Sequence, residues 1–343
     1  MIILGIETSC DDTAAAVLVE RHLRSSVVSS QDAVHGPYGG IVPELASRHH
    51  VANVLAVIDA ALSRAEIAIG DVEGIAVTRG PGLIGSLLVG LSAAKGIAFS
   101  KRIPLVGVNH LEGHMLAVFL EREIAFPYVA LLVSGGHTSI YLARAPGRYR
   151  RIGATRDDAA GEAFDKAAKM LGLGFPGGRV IDQLARGGDG GAVRFPRASI
   201  REHPYDFSFS GLKTALRERL RRDLGVSFDS TGAVRAGALS AAWIADLAAS
   251  FQEAVVDMLV APTVAAAAEL GVSRIVVSGG VSANSRLRQR MQEATGARSL
   301  EVHFPSPRFC TDNAAMIAYA GARRLERGER DELTLNAVAS LPL

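Results

Sequence analysis

The stretch IILGIETSCDDTAAAVLV (residues 2–19) decides the fold. Ile2–Ile6 is a continuous apolar run, the pattern of a strand buried on both faces. Polar residues from Glu7 to Thr13 interrupt it before Ala14–Val19 turns apolar again. Strand, polar turn, strand is the simplest arrangement. The pattern returns at VALLVSGGHTSIYLA (129–143), where Ser134-Gly135-Gly136-His137-Thr138 separates Val129–Val133 from Ser139–Ala143. One such hairpin in each half of the chain indicates an internal duplication.

A third apolar run, Arg274–Ser278, enters Gly279-Gly280-Val281-Ser282-Ala283-Asn284 and then a charged helix over Ser285–Glu293. Strand, Gly-Gly turn and helix suit an anionic ligand at the helix N-terminus. Glycine also serves turn conformation alone in many α/β junctions. Helices are expected from Pro43, with Val51, Val54, Leu55, Ile58 and Leu62 at helical spacing, and over Gly85–Ser100, where Gly85, Ser86, Gly90, Ala93, Ala94 and Gly96 keep one side small. A long buried helix is expected over Ala248–Leu270, with Glu253 and Asp257 on its wet side. Strands alternating with helices define the α/β class.

The 343 residues suit about two domains, and 48% hydrophobic with 21% charged residues gives ample material for a core. A net charge of +2 supplies no broad field for unspecific nucleic-acid binding, so an RNA partner needs locally focused basic residues or a second protein. Cys10 and Cys310 exclude a disulfide framework. The N-terminus lacks a basic signal-peptide region, and the longest uncharged stretch, Gly80 to Ala94, falls short of the ~20 residues of a membrane span. A cytoplasmic protein with no membrane segment is expected.

His110 and His114 stand in NHLEGH (109–114). In a helix this spacing puts both imidazoles on one face, as for two metal ligands; the alternative is two polar helix residues. A zincin peptidase needs Glu directly after the first His, but Glu112 is two residues on, about 200° around the helix. Asp312 can complete a two-His-one-carboxylate set, although by position it reads more readily as the N-cap of the helix beginning at Ala314. Asp11 and Asp12 either face phosphate and metal or serve an ordinary turn. Asp165 lies among i, i+4 pairs with Lys169 and, through Glu162, Lys166, which a solvated helix face explains. Asp206–Thr214 reads as an edge strand or an RNA-facing loop.

Ten segments together resemble one family: GIETSCDDT (5–13), YGGIVPELASR (38–48), GPGLIGSLLVG (80–90), NHLEGH (109–114), LLVSGGHTS (131–139), DDAAGEAFDK (157–166), FPGG (175–178), DFSFSGLKT (206–214), SGGVSAN (278–284) and CTDNAAMIAYAG (310–321). In order, and across nearly the whole chain, they look like the TsaD family of tRNA adenosine threonylcarbamoyltransferases. The resemblance implies an actin-like, duplicated ribonuclease-H-like two-lobe fold of the sugar-kinase and heat-shock-ATPase type. The lobes are expected at 1–125 and 126–343, with an insertion at about 147–237 and a C-terminal helix able to pack back on the first lobe.

The implied activity is transfer of the threonylcarbamoyl group of threonylcarbamoyl-adenylate to N6 of adenosine 37 in the tRNA anticodon loop. Carried over by motif, His110, His114 and Asp312 hold one divalent metal, Fe2+ or Zn2+, which displaces the cap reading of Asp312. Leu132, Val133, Ser134, Gly135, Gly136, Asp165, Gly178, Asp182 and Asn284 bind substrate. Asp11 is the candidate base by residue chemistry and not by motif, since the exocyclic amine is a poor nucleophile and needs a nearby group to take its proton. The implied protein partners are TsaB and TsaE; the small and apolar residues of the helices Pro43–Ala65 and Gly85–Ser100 make that pair the candidate TsaB contact, with core packing as the alternative. One departure is visible: the family usually has Glu where this chain has Asp12. The rival readings are a metallopeptidase, which the displaced Glu112 argues against, and an ATPase or sugar kinase, which the fold alone permits.

Overall fold

A computed structural model of the chain describes all residues except 224, 226, 230, 231 and 236–238. The opening hairpin forms as read. Strand β1 (Ile2–Glu7) pairs antiparallel with β2 (Asp12–Val19), from Ile2 opposite Val19 to Glu7 opposite Ala14. β2 pairs antiparallel with β3 (His22–Ser30). Beyond helices α1 (Asp32–His35) and α2 (Pro43–Ala65), β4 (Gly74–Gly80) lies parallel to β1. Helix α3 (Ile84–Lys101) leads to β5 (Leu105–Asn109), parallel to β4, and α4 (His110–Leu116) follows at once. The sheet order is β3-β2-β1-β4-β5.

On α2, Val54, Ile58 and Leu62 are buried, but Val51 and Leu55 are each 66% exposed. The core-facing stripe is therefore displaced from the five expected residues, taking in Val57, Ala61 and Ala65 in place of Val51 and Leu55. On α3 the small residues admit close neighbours: a Cβ on Gly90 would stand 2.3 Å from Thr8 Oγ1.

The second half repeats the topology. β6 (Tyr128–Val133), β7 (Thr138–Ala145) and β8 (Arg148–Ala154) are antiparallel neighbours. Helices α5 (Ala160–Met170), α6 (Gly177–Ala185), α7 (Ser210–Glu218) and α8 (Ala241–Glu269) precede β9 (Arg274–Ser278), which runs parallel to β6. After α9 (Ser285–Gly296), β10 (Glu301–His303) lies parallel to β9. The order β8-β7-β6-β9-β10 mirrors the first sheet strand for strand, so the ribonuclease-H-like arrangement occurs twice.

Three expectations in this half change. β8 is an integral strand of the sheet, so inserted chain begins after it rather than near residue 147, and the expected end at Gly237 lies outside the described residues. α8 starts earlier than expected, capped by Ser240 Oγ accepting from Trp243 N at 3.2 Å, and its Glu253 and Asp257 are paired with Arg286 and Arg197 rather than simply solvated. Asp206–Thr214 is edge bridge and helix in turn: Phe207 pairs parallel with Thr155 just beyond β8, Phe207 and Phe209 are buried in the core rather than facing out, and α7 begins at Ser210.

The chain forms two compact units, Met1–Ile124 with Pro305–Leu343, and Ala125–Phe304. The second lobe expected at 126–343 thus ends at Phe304. The final helix, α10 (Ala314–Glu326), presents an unbroken buried run, Ala314–Ala322, against the largely apolar strands β1 and β4. The tail beyond it is stitched to the same sheet by Asp331 N donating to Leu105 O (2.8 Å) and Val338 N to Arg79 O (2.8 Å). Among the described residues no helix is long and apolar enough to cross a membrane.

Candidate functional site

In the first unit, β5 ends at Asn109, whose side chain accepts from Leu111 N at 2.9 Å and so caps α4. The next residue is His110, and one turn later comes His114, both buried. Their rings stand edge to face with centroids 4.7 Å apart. Asp312 Oδ1 lies 3.1 Å from His114 Nε2 and 3.4 Å from His110 Nε2. One donor atom from each residue lies within 4.8 Å of the others. The expected cap role of Asp312 belongs instead to Asn313, whose Oδ1 accepts from Met316 N at 2.9 Å. This leaves the Asp312 carboxylate to face the imidazoles. Glu112 stands outside the cluster.

A fourth residue organises the group. Glu7, at the end of β1 and fully buried, presents Oε2 at 2.9 Å from His110 Nδ1. Thr78 Oγ1 donates to the same oxygen at 2.7 Å, and Ser9 N donates to the other. Burial alone would raise Glu7 and Asp312 and lower His110. Glu7 is instead held below the usual carboxylate range by the charge on His110, and Asp312 well below it by the same charge. Asp312 and Glu7 in turn hold His110 well above the ordinary imidazole value. Burial keeps His114 low, hence neutral. Two carboxylates thus converge on one cation, and His110 carries the proton that meets that demand here. In the protonated ring Nδ1–H faces Glu7 and Nε2–H faces Asp312; loss of the Nε2 proton, with Glu7 retaining the one on Nδ1, would free Nε2 as a metal-donor atom on the side of His114 and Asp312. Two imidazoles and one carboxylate fit a divalent transition metal and leave coordination positions open. Sequence reasoning missed Glu7; its signal is a carboxylate ending an otherwise wholly apolar strand.

Asp11, in the turn after β1, and Asp12, the first residue of β2, are partly buried. Burial, and then the charge of Asp312, raises Asp11. Asp12 is pushed up to about 8 by burial and then by Asp312 and Asp11.

The other expected site residues all lie in the second unit, around the carboxyl ends of β6 and β9, where open α/β sheets bind ligands. Leu132 and Val133 have fully buried side chains inside β6, which leaves only their backbone to face a ligand. Ser134, Gly135 and Gly136 form the turn that follows, and a Cβ on either glycine would meet open space. The N-terminus of α5 docks on this turn, Gly161 N donating to Ser134 O and Glu162 N to Gly135 O, each at 3.2 Å. Asp165 accepts from Gly177 N at 2.7 Å, which places Gly178 beside it at the start of α6. Asp182 Oδ1 accepts from Ser285 N (3.1 Å) and Ser285 Oγ (2.7 Å). Asn284 caps α9 through Leu287 N at 2.9 Å and donates to Gln252 Oε1 at 2.7 Å. The turn before it needs glycine: Gly279 has φ +91°, and a Cβ there would lie 2.4 Å from Val133 O.

Two ribonuclease-H-like sheets with glycine turns at their strand ends, and a His-His-Asp cluster on one of them, define an actin-like α/β protein with a candidate metal centre. The family model described as TsaD, tRNA N6-adenosine threonylcarbamoyltransferase, matches residues 22–319, and the chain belongs to that family. A curated relative of that name from Pelobacter propionicus is 52% identical over 341 residues, 99% of this chain and 97% of its own length. Another from Syntrophus aciditrophicus is 52% identical over 345 residues, 100% of this chain and 98% of its own. Among solved structures, full-length HypF in a phosphate- and nucleotide-bound form superposes with TM-score 0.60 at 14% identity, over 95% of this chain and 56% of that one. Component A of the (R)-2-hydroxyglutaryl-CoA dehydratase of Acidaminococcus fermentans gives 0.53 at 15% identity, over 94% and 99%. These two show the fold alone.

Proposed function

We propose that the chain transfers the threonylcarbamoyl group from threonylcarbamoyl-adenylate to N6 of adenosine 37 in tRNAs that read codons starting with A, releasing AMP. The observation that carries this reading is family membership along nearly the whole chain, with relatives of that name half identical to it. His110, His114 and Asp312 would hold one Fe2+ or Zn2+ per subunit. When bound, such an ion supplies Lewis-acid polarisation of a carbonyl or phosphoryl oxygen.

The remaining roles follow from residue chemistry. Backbone N–H groups of Ser134-Gly135-Gly136 suit an anionic phosphate or carboxylate, since the turn is open and adds no charge of its own. Asp165, Asp182 and Asn284 offer hydrogen-bonding partners for hydroxyls and base edges, and Gly178 leaves room beside them. Asp11 takes the proton lost by the weakly nucleophilic exocyclic amine, and its raised value moves it toward that task. TsaB would dock on α2 and α3, where Val51, Leu55, Leu88 and Phe99 are exposed. TsaE would complete the set, in the cytoplasm.

The test is incorporation of labelled threonine into unmodified tRNA with ATP, bicarbonate, the adenylate-forming synthase, TsaB and TsaE. Label with the wild type and little with His110→Ala supports transfer and the metal's part in it. Label with both removes the metal from catalysis. No label with either, beside a working control enzyme, overturns the reading. Asp11→Ala with intact metal content and undiminished transfer would dismiss Asp11 as base.

A further inference from the structure

Helix α7 and the turn after it, Arg219–Asp223, have two unlike sides. Leu212, Leu216 and Leu220, four residues apart, are buried to within 1% of completely. The adjacent ridge, one residue on, is Lys213, Arg217 and Arg221, all exposed. Successive members are separated by about 6 Å of helix rise. The ridge borders a cleft of about 560 Å3, which Lys166, Asp158 and Glu218 also line. Four cations therefore meet two carboxylates, an excess of two positive charges. That local excess equals the net charge of the entire chain.

Both carboxylates are already engaged, Asp158 with Lys166 and Glu218 with Arg222. Among the described residues, Lys213, Arg217 and Arg221 have no carboxylate partner; Arg217 rests over the Phe228 ring at 5.6 Å. The ridge is also rigidly mounted. Asp157 accepts from Phe209 N (2.7 Å), Ser210 N (3.2 Å), Ser208 Oγ (2.5 Å) and Ser210 Oγ (2.8 Å) at the head of α7, while Phe207 and Phe209 anchor that segment in the core. Prepaid ordering of this kind lets exposed cations bind without immobilising a loop.

From this ridge we infer a docking site for the sugar-phosphate backbone of tRNA, an inference that rests on the proposed tRNA substrate. A row of three unpaired cations at regular spacing matches a polymer of regularly spaced phosphates. A small nucleotide would instead call for buried, converging donors, and these three side chains are exposed. Such contacts position an RNA without reading its sequence.

The test titrates labelled unmodified tRNA into the full chain with TsaB and TsaE across a salt series from about 50 to about 200 mM. Replacing Lys213, Arg217 and Arg221 together by Gln removes three phosphate contacts. The slope of log affinity against log salt is expected to fall by about 2, at roughly 0.7 per contact, and affinity at low salt by tenfold or more. The charge-conserving set Lys213→Arg, Arg217→Lys and Arg221→Lys should restore both, with melting temperature and metal content equal in all three proteins. Equal slope and affinity for wild type and the Gln set overturn the ridge and leave the tRNA reading standing. Failure of the wild type to bind tRNA overturns that reading and the ridge with it. Loss of ATP binding in place of tRNA binding gives the cleft to a small polyanion and overturns the inference.

Discussion

Glu7 and His110 are 103 residues apart in the chain, yet Glu7 Oε2 and His110 Nδ1 stand 2.9 Å apart in the interior of the first unit. Neighbouring parallel strands achieve this: β1 and β5 flank β4, and both residues sit where their strands end. Glu7→Gln keeps the shape and removes the charge that orients the imidazole. Metal affinity should fall by about 10- to 100-fold, the usual cost of losing such an outer partner. Titration of metal-free protein with Zn2+ measures it. Chelation should also lower the wild-type melting temperature while leaving His110→Ala unmoved, since only the former has a bound ion to lose.

Asp12 offers a pH signature. Its carboxyl is raised in the folded state to about 8, first by burial and then by the Asp312 and Asp11 charges. The unfolded value lies near 4. Folding therefore carries no penalty from Asp12 at low pH, a growing one as pH climbs through this window, and the full one above about 8. Asp12→Asn should stabilise the metal-free protein increasingly from about pH 5 to about pH 9 and have little effect below. Thermal melts across that range decide it; a gain independent of pH would dismiss the electrostatic cause.

Gly279→Ala should destabilise the second unit by about 1 kcal/mol or more, because alanine tolerates positive φ poorly and its Cβ would strike Val133 O. Metal content should be unchanged, since the donors lie in the other unit. Calorimetry beside metal analysis separates the two.

Leu55→Glu combined with Val51→Lys should leave the melting temperature nearly unchanged, both side chains being 66% exposed. The same pair should weaken TsaB association by tenfold or more, as expected for charges placed in the centre of an apolar contact. Analytical ultracentrifugation of the mixed proteins measures this.

Much of this molecule is legible in its sequence because both hairpins are continuous apolar runs broken by short polar turns. The signal is local, and the duplication repeats it. The His110–His114 pair is legible for the same reason, being one helical turn. Asp312 is ambiguous from local pattern, since Asp and Asn both cap helices, and only the fold shows that Asn313 takes the cap. Glu7 escaped notice because its partner is remote in sequence. Val51 and Leu55 misled because helical periodicity reports an apolar face without saying what covers it. The serines and phenylalanines of 206–210 were undecidable because their partners, Asp157 and the core, belong to other segments.

The first unit closes only when residues 305–343 return to it, and Asp312 lies 198 residues beyond His114. During synthesis the two histidines emerge early and wait for their carboxylate while the ribosome makes the whole second unit. The complete donor set therefore exists only once synthesis has reached Asp312. A chain truncated anywhere before residue 312 lacks the set, so any ion held by all three donors would report that synthesis had passed Asp312.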